Sequence, residues 1–446
     1  MRVLIVSANT LPASPAGPAY IAGAALQAGH EVAVFECLFA QDLETELTVM
    51  LADFCPDVVG ISIRLVNGKV VTNVRDPWSI ERFDMRPLVR QITDNVRDML
   101  PGAAIVLGGP GFNYFGADWL DYLGLDYGIR GEGEYSFPLF LEKLARAEAV
   151  NEVPGCIYRH NGGFRDVPRE YRDDLDATAF PAYQLFDLAQ YEERGISPGI
   201  SSKRGCALGC TFCPYATIEG TRYRVKSPAR VVDEIEHIFN VRPPRMVNFC
   251  DNSFNIPVRH GRAICQEIIA RDKDLRWGTG ALKPINVTPE FVQLMQDSGC
   301  QYVGLSVESA SPAMLQNMHR GYRVQQVRHA LDALYASDLP FGVSLMLGAP
   351  GETPDTIAET FDVIDSYPLP PSGVWVTVGI NLWSEHQQIL NDARQAGQLT
   401  DDRQLFEGVD YLSPALPEAY VRDLVNELAA RDGYTVQVNK AHGSHT

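Results

Sequence analysis

Apolar positions along the chain fall into two alternating series separated by a turn-rich passage. In the first, short apolar runs at residues 3–6, 31–35, 58–63 and 104–107, with a shorter one at 127–129, read as strands. Between them, residues 20–28, 43–54 and 88–99 carry apolar side chains at helical spacing. Strands alternating with helices predict a parallel, doubly wound α/β sheet, a Rossmann-like domain over residues 1–145. Ligands of such sheets sit at the carboxyl ends of the strands, beside the topological switch point.

Residues 146–198 contain Gly155, Gly162, Gly163 and several acids, and read as a connector with a small hairpin at 156–165. The second series begins near Gly199. Its predicted strands are 246–250, 277–281, 302–307, 341–347 and 374–380, and its predicted helices are 229–239, 261–270, 289–297, 324–336 and 353–366. That is a (β/α) repeat of barrel type over 199–390. Residues 391–446 are expected to form a short helical tail.

Composition narrows the function classes. A chain of 446 residues with 46% hydrophobic residues has room for two or three domains with sizeable cores. A net charge of −18 speaks against nucleic acid as a partner, because phosphate binding needs clustered Lys and Arg. No apolar run reaches membrane-spanning length, and the chain opens directly on a strand without a leader, so no membrane is expected as partner. With unpaired cysteines added, the expected location is the reducing cytoplasm.

The chemistry concentrates in Cys206, Cys210 and Cys213, spaced Cys-x3-Cys-x2-Cys. Zinc normally takes four ligands in two pairs, and no second pair lies nearby, since Cys250 stands alone. A 4Fe–4S cluster normally takes four thiolates, so three leave one iron open to a small chelating molecule. This run resembles the signature of the radical S-adenosylmethionine (SAM) superfamily. There the amino and carboxylate groups of SAM occupy the open iron, and the resemblance implies a partial (β/α)6 barrel.

The barrel's strand ends extend the resemblance. Asp251 and Asn252, after the second strand, are similar to the Asp-Asp/Asn-x-Phe variant of cobalamin-linked members, and Asp251 is expected to accept from the SAM ammonium. An Asx turn ending a strand is the plainer reading of the same residues. Gly304, Ser306 and Glu308 match the family's Gly-x-Ser-x-Glu-Ser pattern; strict alternation sets Ser306 and Glu308 on one side, facing SAM. Gly348, before Pro350, Glu352 and Thr353, corresponds to the loop bordering the adenine, with Thr353 as a helix cap and Glu352 beside the first turn. Phe212 corresponds to an aromatic lying against the adenine. Lys283 stands where relatives carry Arg, either neutralising the SAM carboxylate or solvated in a loop.

In the first domain, Ser62, the run Gly108, Gly109 and Pro110, and the pair Gly131 and Glu132 resemble the cobalamin-binding domain of cobalamin-dependent radical SAM enzymes. The resemblance implies that these residues contact cobalamin. It also assigns Arg64 to the corrin's lower face, pairing with a surface acid being the alternative. The Asp-x-His-x-x-Gly run of many cobalamin domains is replaced by Pro12 to Gly17, with the Gly kept and the His lost. Cys37 and Cys55 are too few and poorly placed for the extra cluster of a methylthiotransferase.

The family implies an oxygen-sensitive enzyme with a 4Fe–4S cluster, SAM and cobalamin, a small-molecule substrate, and a reductant such as flavodoxin or ferredoxin. The reaction implied is methylation of an unactivated carbon; cyclisation, rearrangement or transfer of another SAM-derived group is the alternative. Three SAM elements beside the cysteines argue against a non-catalytic cobalamin or cluster sensor. Relatives often carry an Arg-Ile-Tyr-Pro-Gly-Thr-like run after the sixth strand. Asn381, Leu382, Trp383, Ser384, Glu385 and His386 stand there instead, at an edge expected to face substrate, with His386 a candidate proton donor.

Overall fold

A computed structural model describes residues 1–73, 76–384 and 387–439 of the chain. Strands β1 (Arg2–Ser7), β2 (Glu31–Glu36) and β3 (Val58–Ser62) form as the apolar runs require. A hairpin of β4 (Asn67–Asn73) and β5 (Asp76–Asp84) follows, then β6 (Ala104–Gly108) and β7 (Tyr127–Ile129), and finally β8 (Cys156–His160) and β9 (Gly163–Asp166). The first sheet has the order β2-β1-β3-β6-β7-β8-β9, parallel up to β7. Its order reverses between β1 and β3, so the switch-point crevice opens beside Ser7 and Ser62.

Helices Ala16–Gln27, Leu43–Phe54, Met85–Met99 and Gly133–Ala145 connect the strands. The second is capped by Asp42, whose side chain accepts from the Thr45 amide at 3.2 Å. Leu47, Leu51, Val89 and Ile92 are buried against the sheet, which explains the helical spacing seen in the sequence.

Two features depart from the predicted organisation. The hairpin at 156–165 is the outer edge of the first sheet, not part of a connector: β8 pairs antiparallel with β7. Residues 67–73 and 76–84, to which the apolar pattern assigns no element, form the β4–β5 ribbon. This ribbon reaches across to the C-terminal part of the chain. Lys69 pairs with Asp410 at 2.6 Å, and the Trp78 indole donates to Asn426 Oδ1 at 2.7 Å. In β5, Trp78 and Ile80 pack half-buried against the core of the second sheet, far along the chain, so the local pattern is faint.

The second sheet is entirely parallel. It begins with β10 (Gly199–Ile200); β11 (Lys203–Arg204) and β12 (Arg224–Val225) form a short ribbon beside it. The sheet continues with β13 (Val247–Phe249), β14 (Trp277–Leu282), β15 (Cys300–Glu308), β16 (Phe341–Leu347) and β17 (Val374–Val378). A second ribbon pairs β18 (Ile380–Asn381) with β19 (Asp410–Tyr411). These six sheet strands are the expected partial barrel.

The tail corrects the prediction. It is helical at Gln387–Gln395, Gln404–Glu407 and Glu418–Ala430, but then supplies β20 (Tyr434–Val438), which pairs with β17 and adds a seventh parallel strand. The helix before it hides the strand signal, because five residues carry little periodicity of their own. Among the described residues no helix is long and apolar enough to cross a membrane.

The two sheets do not float apart. Helix Ala16–Gln27 lies on the segment leading into the second sheet, with the Ala182 amide donating to the Ala19 carbonyl at 2.8 Å. A Cβ on Gly23 would stand 2.0 Å from the Phe180 carbonyl oxygen, which is backbone and cannot turn aside. Helix propensity favours Ala over Gly by about 1 kcal/mol. The contact reverses that sign: Gly23→Ala is expected to destabilise by about 1–3 kcal/mol in thermal or denaturant unfolding. Gly102→Ala, with nothing within 4 Å, serves as the control and should stay within about 0.5 kcal/mol of the parent.

Candidate cofactor site between the two strand-end faces

The cysteine loop is pinned at both ends. The Cys206 amide donates to the Gly220 carbonyl at 3.0 Å, and the Gly205 amide to Glu219 Oε2 at 3.1 Å. The Cys213 amide turns back onto the Cys210 carbonyl at 3.2 Å, so the last two cysteines share one tight turn. All three thiols are free and half-buried. Burial pushes the Cys213 thiol up to about 11; Cys210 and Cys206 act in the same direction, and Lys283 opposes them. Iron ligation would deprotonate such a thiol outright. Among the described residues no three His, Cys, Asp or Glu side chains converge as they would on a single metal ion. A cube that offers each thiolate its own iron asks for no such convergence.

At the end of β13 the roles differ from expectation. Asp251 is fully buried, and its carboxylate accepts from the Ser202 amide at 2.8 Å and from the Ser202 hydroxyl, with the Lys203 ammonium at 3.8 Å. It brackets the strand that launches the cysteine loop, and is not a free acceptor for an ammonium. Asn252 is the better placed residue. Its Nδ2 donates to the Gly205 carbonyl at 3.1 Å, while its Oδ1 is buried without any hydrogen-bond partner. An orphaned buried acceptor is costly, and a ligand N–H would satisfy it.

Lys283 lies beyond β14, held through its backbone by Asn255, whose Oδ1 accepts from the Lys283 amide at 2.9 Å. No described residue hydrogen-bonds its ammonium. Burial lowers its pKa, Arg320 lowers it further, and Glu308, Cys210 and Cys213 pull the other way. Lys283 is half-buried, within electrostatic reach of the cysteine loop, Arg320 and Glu308.

Glu308 ends β15 in the left-handed region, at φ 62°, and the register with β16 slips between Ser306 and Glu308. Strict alternation therefore does not aim these two residues; a bulge does. Backbone strain of this kind clusters at ligand sites. Arg320 joins both residues, its Nη2 donating to the Ser306 carbonyl at 3.3 Å and lying 3.6 Å from Glu308 Oε1. Arg320 was invisible in the sequence pattern. The only hint was that a barrel carboxylate requires a cation somewhere. Phe212 packs against the same guanidinium, 5.4 Å from its ring centre.

The loop after β16 is built around Glu352. Instead of flanking the next helix, its side chain is fully buried and accepts from the Gly348 and Ala349 amides. Gly348 has φ +94°, and a Cβ there would meet Leu412 at 2.4 Å, so the close approach it allows is to the C-terminal segment. Thr353 caps the helix Pro354–Ile364 as expected, accepting from the Thr356 amide at 3.3 Å.

On the first sheet, Ser62 ends β3 at the switch point, Gly108 ends the adjoining β6, and Gly131 lies two residues past the end of β7. Asn113, missed in the sequence, ties two of these loops together: its Nδ2 donates to the Gly109 carbonyl at 3.0 Å and its Oδ1 accepts from the Gly131 amide at 2.6 Å. Pro110 starts the short helix Pro110–Tyr114. Arg64 forms no ion pair among the described residues, which corrects the surface-acid alternative. Its charge reaches the Tyr215 hydroxyl, two residues after Cys213, and the Cys250 thiol beside Asp251, so Arg64 lies on the side of the first domain that faces the cysteine loop.

Glu132 also takes a different role. Its carboxylate grips Arg224 through two donors, one at 2.8 Å, and Glu134 grips Arg204, two residues before Cys206. The strand ends of the first sheet thus face the cysteine loop directly. Trp383 and Ser384 fasten the far side, the indole 4.8 Å from the Tyr114 ring and the hydroxyl donating to the Tyr114 carbonyl. Glu385 and His386 lie outside the described residues.

Residues 2–141 match the B12 binding domain, and residues 200–364 match the Radical SAM superfamily. The chain is a radical SAM protein with an N-terminal cobalamin-binding domain. An uncharacterised methyltransferase of Pyrococcus horikoshii is 25% identical over 78% of this chain and 72% of its own length. The hopanoid C-3 methylase of Methylococcus capsulatus is 28% identical over 78% of this chain, which spans 63% of that relative. In fold, the radical SAM methyltransferase TsrM of Kitasatospora setae superposes with a TM-score of 0.82 at 22% identity, covering 98% of this chain and 93% of that one.

Within the radical SAM domain, Glu352 generates a stability prediction. Burial raises its carboxyl to about 8, and the two amides that favour the charged form do not offset this. The folded state therefore prefers the protonated form. Its contribution is complete below the ordinary value of 4.5 and is lost as pH rises through about 8. Glu352→Gln, neutral at every pH, should lack that loss. Urea unfolding at about pH 5 and pH 8 should show the parent falling relative to the variant by a few kcal/mol.

Proposed function

We propose that this radical SAM enzyme methylates an unactivated carbon of a small molecule, using cobalamin as the methyl carrier. The observation that carries the reading is the apposition of two strand-end faces, the switch point of the B12-binding domain and the cysteine loop of the barrel, joined by Glu132–Arg224 and Glu134–Arg204. When bound, the cluster and SAM supply one-electron chemistry and cobalamin supplies a methyl group. Cys206, Cys210 and Cys213 would hold three irons. Asn252 Oδ1 would accept from the SAM ammonium, and the Lys283 ammonium would face the carboxylate. Ser62, Gly108, Gly109, Pro110 and Gly131 would line the corrin site, with Arg64 projecting from the same strand ends. A low-potential carrier such as flavodoxin or ferredoxin would supply the electron.

Two measurements test this reading. Lys283→Ala should weaken SAM binding about tenfold or more in equilibrium dialysis at unchanged iron content, the range for losing a hydrogen bond to a charged group. Anaerobic turnover of reconstituted enzyme with deuterated-methyl SAM should place the label in product and release S-adenosylhomocysteine. 5′-Deoxyadenosine without S-adenosylhomocysteine would replace methylation by a cyclisation or rearrangement. Absence of both, with iron and cobalamin bound, would sink the proposal.

A further inference from the structure

We propose that Arg320 is a positioning residue that sets the reduction potential of the cluster by hydrogen-bonding the sulfur of Cys210. Its side chain is 2% exposed, among the largest fully buried in the molecule. Every edge of the guanidinium is engaged. Nε donates to the Tyr322 hydroxyl at 2.9 Å, Nη2 to the Ser306 carbonyl at 3.3 Å, and Nη1 to Cys210 Sγ at 3.2 Å. Tyr322 is fixed in turn, its hydroxyl donating to the Val307 carbonyl at 2.7 Å. The end of β15 therefore holds the fork at one angle, pointed at a single thiol.

The three cysteines are not treated alike. Cys206 has the Tyr223 hydroxyl 3.6 Å away, whereas Cys210 alone among them receives a donor that carries a full charge. A cluster that accepts an electron becomes more negative, and hydrogen bonds to its sulfurs favour that state. A buried cation against one sulfur adds to the effect, because little solvent screens it. Arg320 is already paired with the Glu308 carboxylate, whereas the Lys283 ammonium has no carboxylate partner among the described residues. Arg320 and the half-buried Lys283 thus serve different ends, one the cluster and the other the ligand on the open iron.

The inference rests on the assignment of Cys206, Cys210 and Cys213 as cluster ligands. The test uses the full chain, reconstituted anaerobically without SAM, with iron and sulfide quantified and the midpoint potential read by EPR-monitored titration. Arg320→Gln should keep its iron and shift the potential downward. At fixed ambient potential its reduced-to-oxidised ratio should fall at least tenfold, about 59 mV for a one-electron couple. Arg320→Lys, which keeps charge but loses the fork, and Tyr322→Phe, which frees it, should shift the same way by less. Should Arg320→Gln lose its cluster, the other two variants decide by the same criterion. Unchanged or raised potentials in variants with full iron overturn the inference. A full 4Fe–4S complement in Cys210→Ala would instead remove the ligand assignment on which it rests.

Discussion

Everything at this site depends on two pairs of opposite charges buried where the domains meet. Arg224 and Arg204 flank the cysteine loop, and Glu132 and Glu134 follow the last parallel strand of the first sheet. Arg224 is 3% exposed and Glu132 12%, so neither charge could stay there alone. Burial would raise the Glu134 carboxyl, yet the Arg204 charge and hydrogen bond, a backbone amide and Lys226 together outweigh it and hold the group below its usual range. Such pairs are weak sources of net stability, because desolvation offsets most of their attraction. What they provide is register: a slipped domain would strand two arginines and two carboxylates away from water. Two cofactor-bearing faces must meet at a set distance, and apolar packing alone is indifferent to small slides.

The same economy explains why several residues that look like ligand contacts are fasteners. Asp251 and Glu132 spend their carboxylates on neighbouring backbone or cations, and Glu352 spends one oxygen on two backbone amides. A buried carboxylate needs two or three donors close at hand, and protein amides are always present where a ligand is not. The residues left free are chemically different. Asn252 Oδ1 and the Lys283 ammonium have no hydrogen-bond partner among the described residues, and each suits one end of an amino acid. Free valence beside the cysteine loop, rather than motif membership, marks these two as the binding groups here.

Much of this was legible in the sequence, and for identifiable reasons. Apolar runs such as 3–6 and 341–347 are buried on both faces of parallel sheets, so the strands and their order of appearance were plain. The cysteine spacing is local and survived intact. What stayed hidden is what depends on distant partners. The β4–β5 ribbon has its partners more than three hundred residues away, at Phe406, Asp410 and Asn426. β20 is five residues whose meaning comes only from β17. Arg320 lies just past a helix end between His319 and Gly321, a setting that spells a turn and says nothing of a thiol 110 residues earlier.

The bulge at the end of β15 shows how local strain and long-range contacts are one design. Regular alternation would carry the strand past Ser306 with its carbonyls aimed at neighbouring strands. The slip before Glu308 frees the Ser306 and Val307 carbonyls, and Tyr322 and Arg320 take them. Freed carbonyls in a buried place must find donors. Supplying them draws an arginine into the barrel mouth, where its remaining donors reach Cys210 and its charge balances Glu308. The left-handed backbone of Glu308 is therefore tolerated because the groups it displaces are satisfied. A regular strand would remove the strain and with it the reason for a cation beside the cysteine loop.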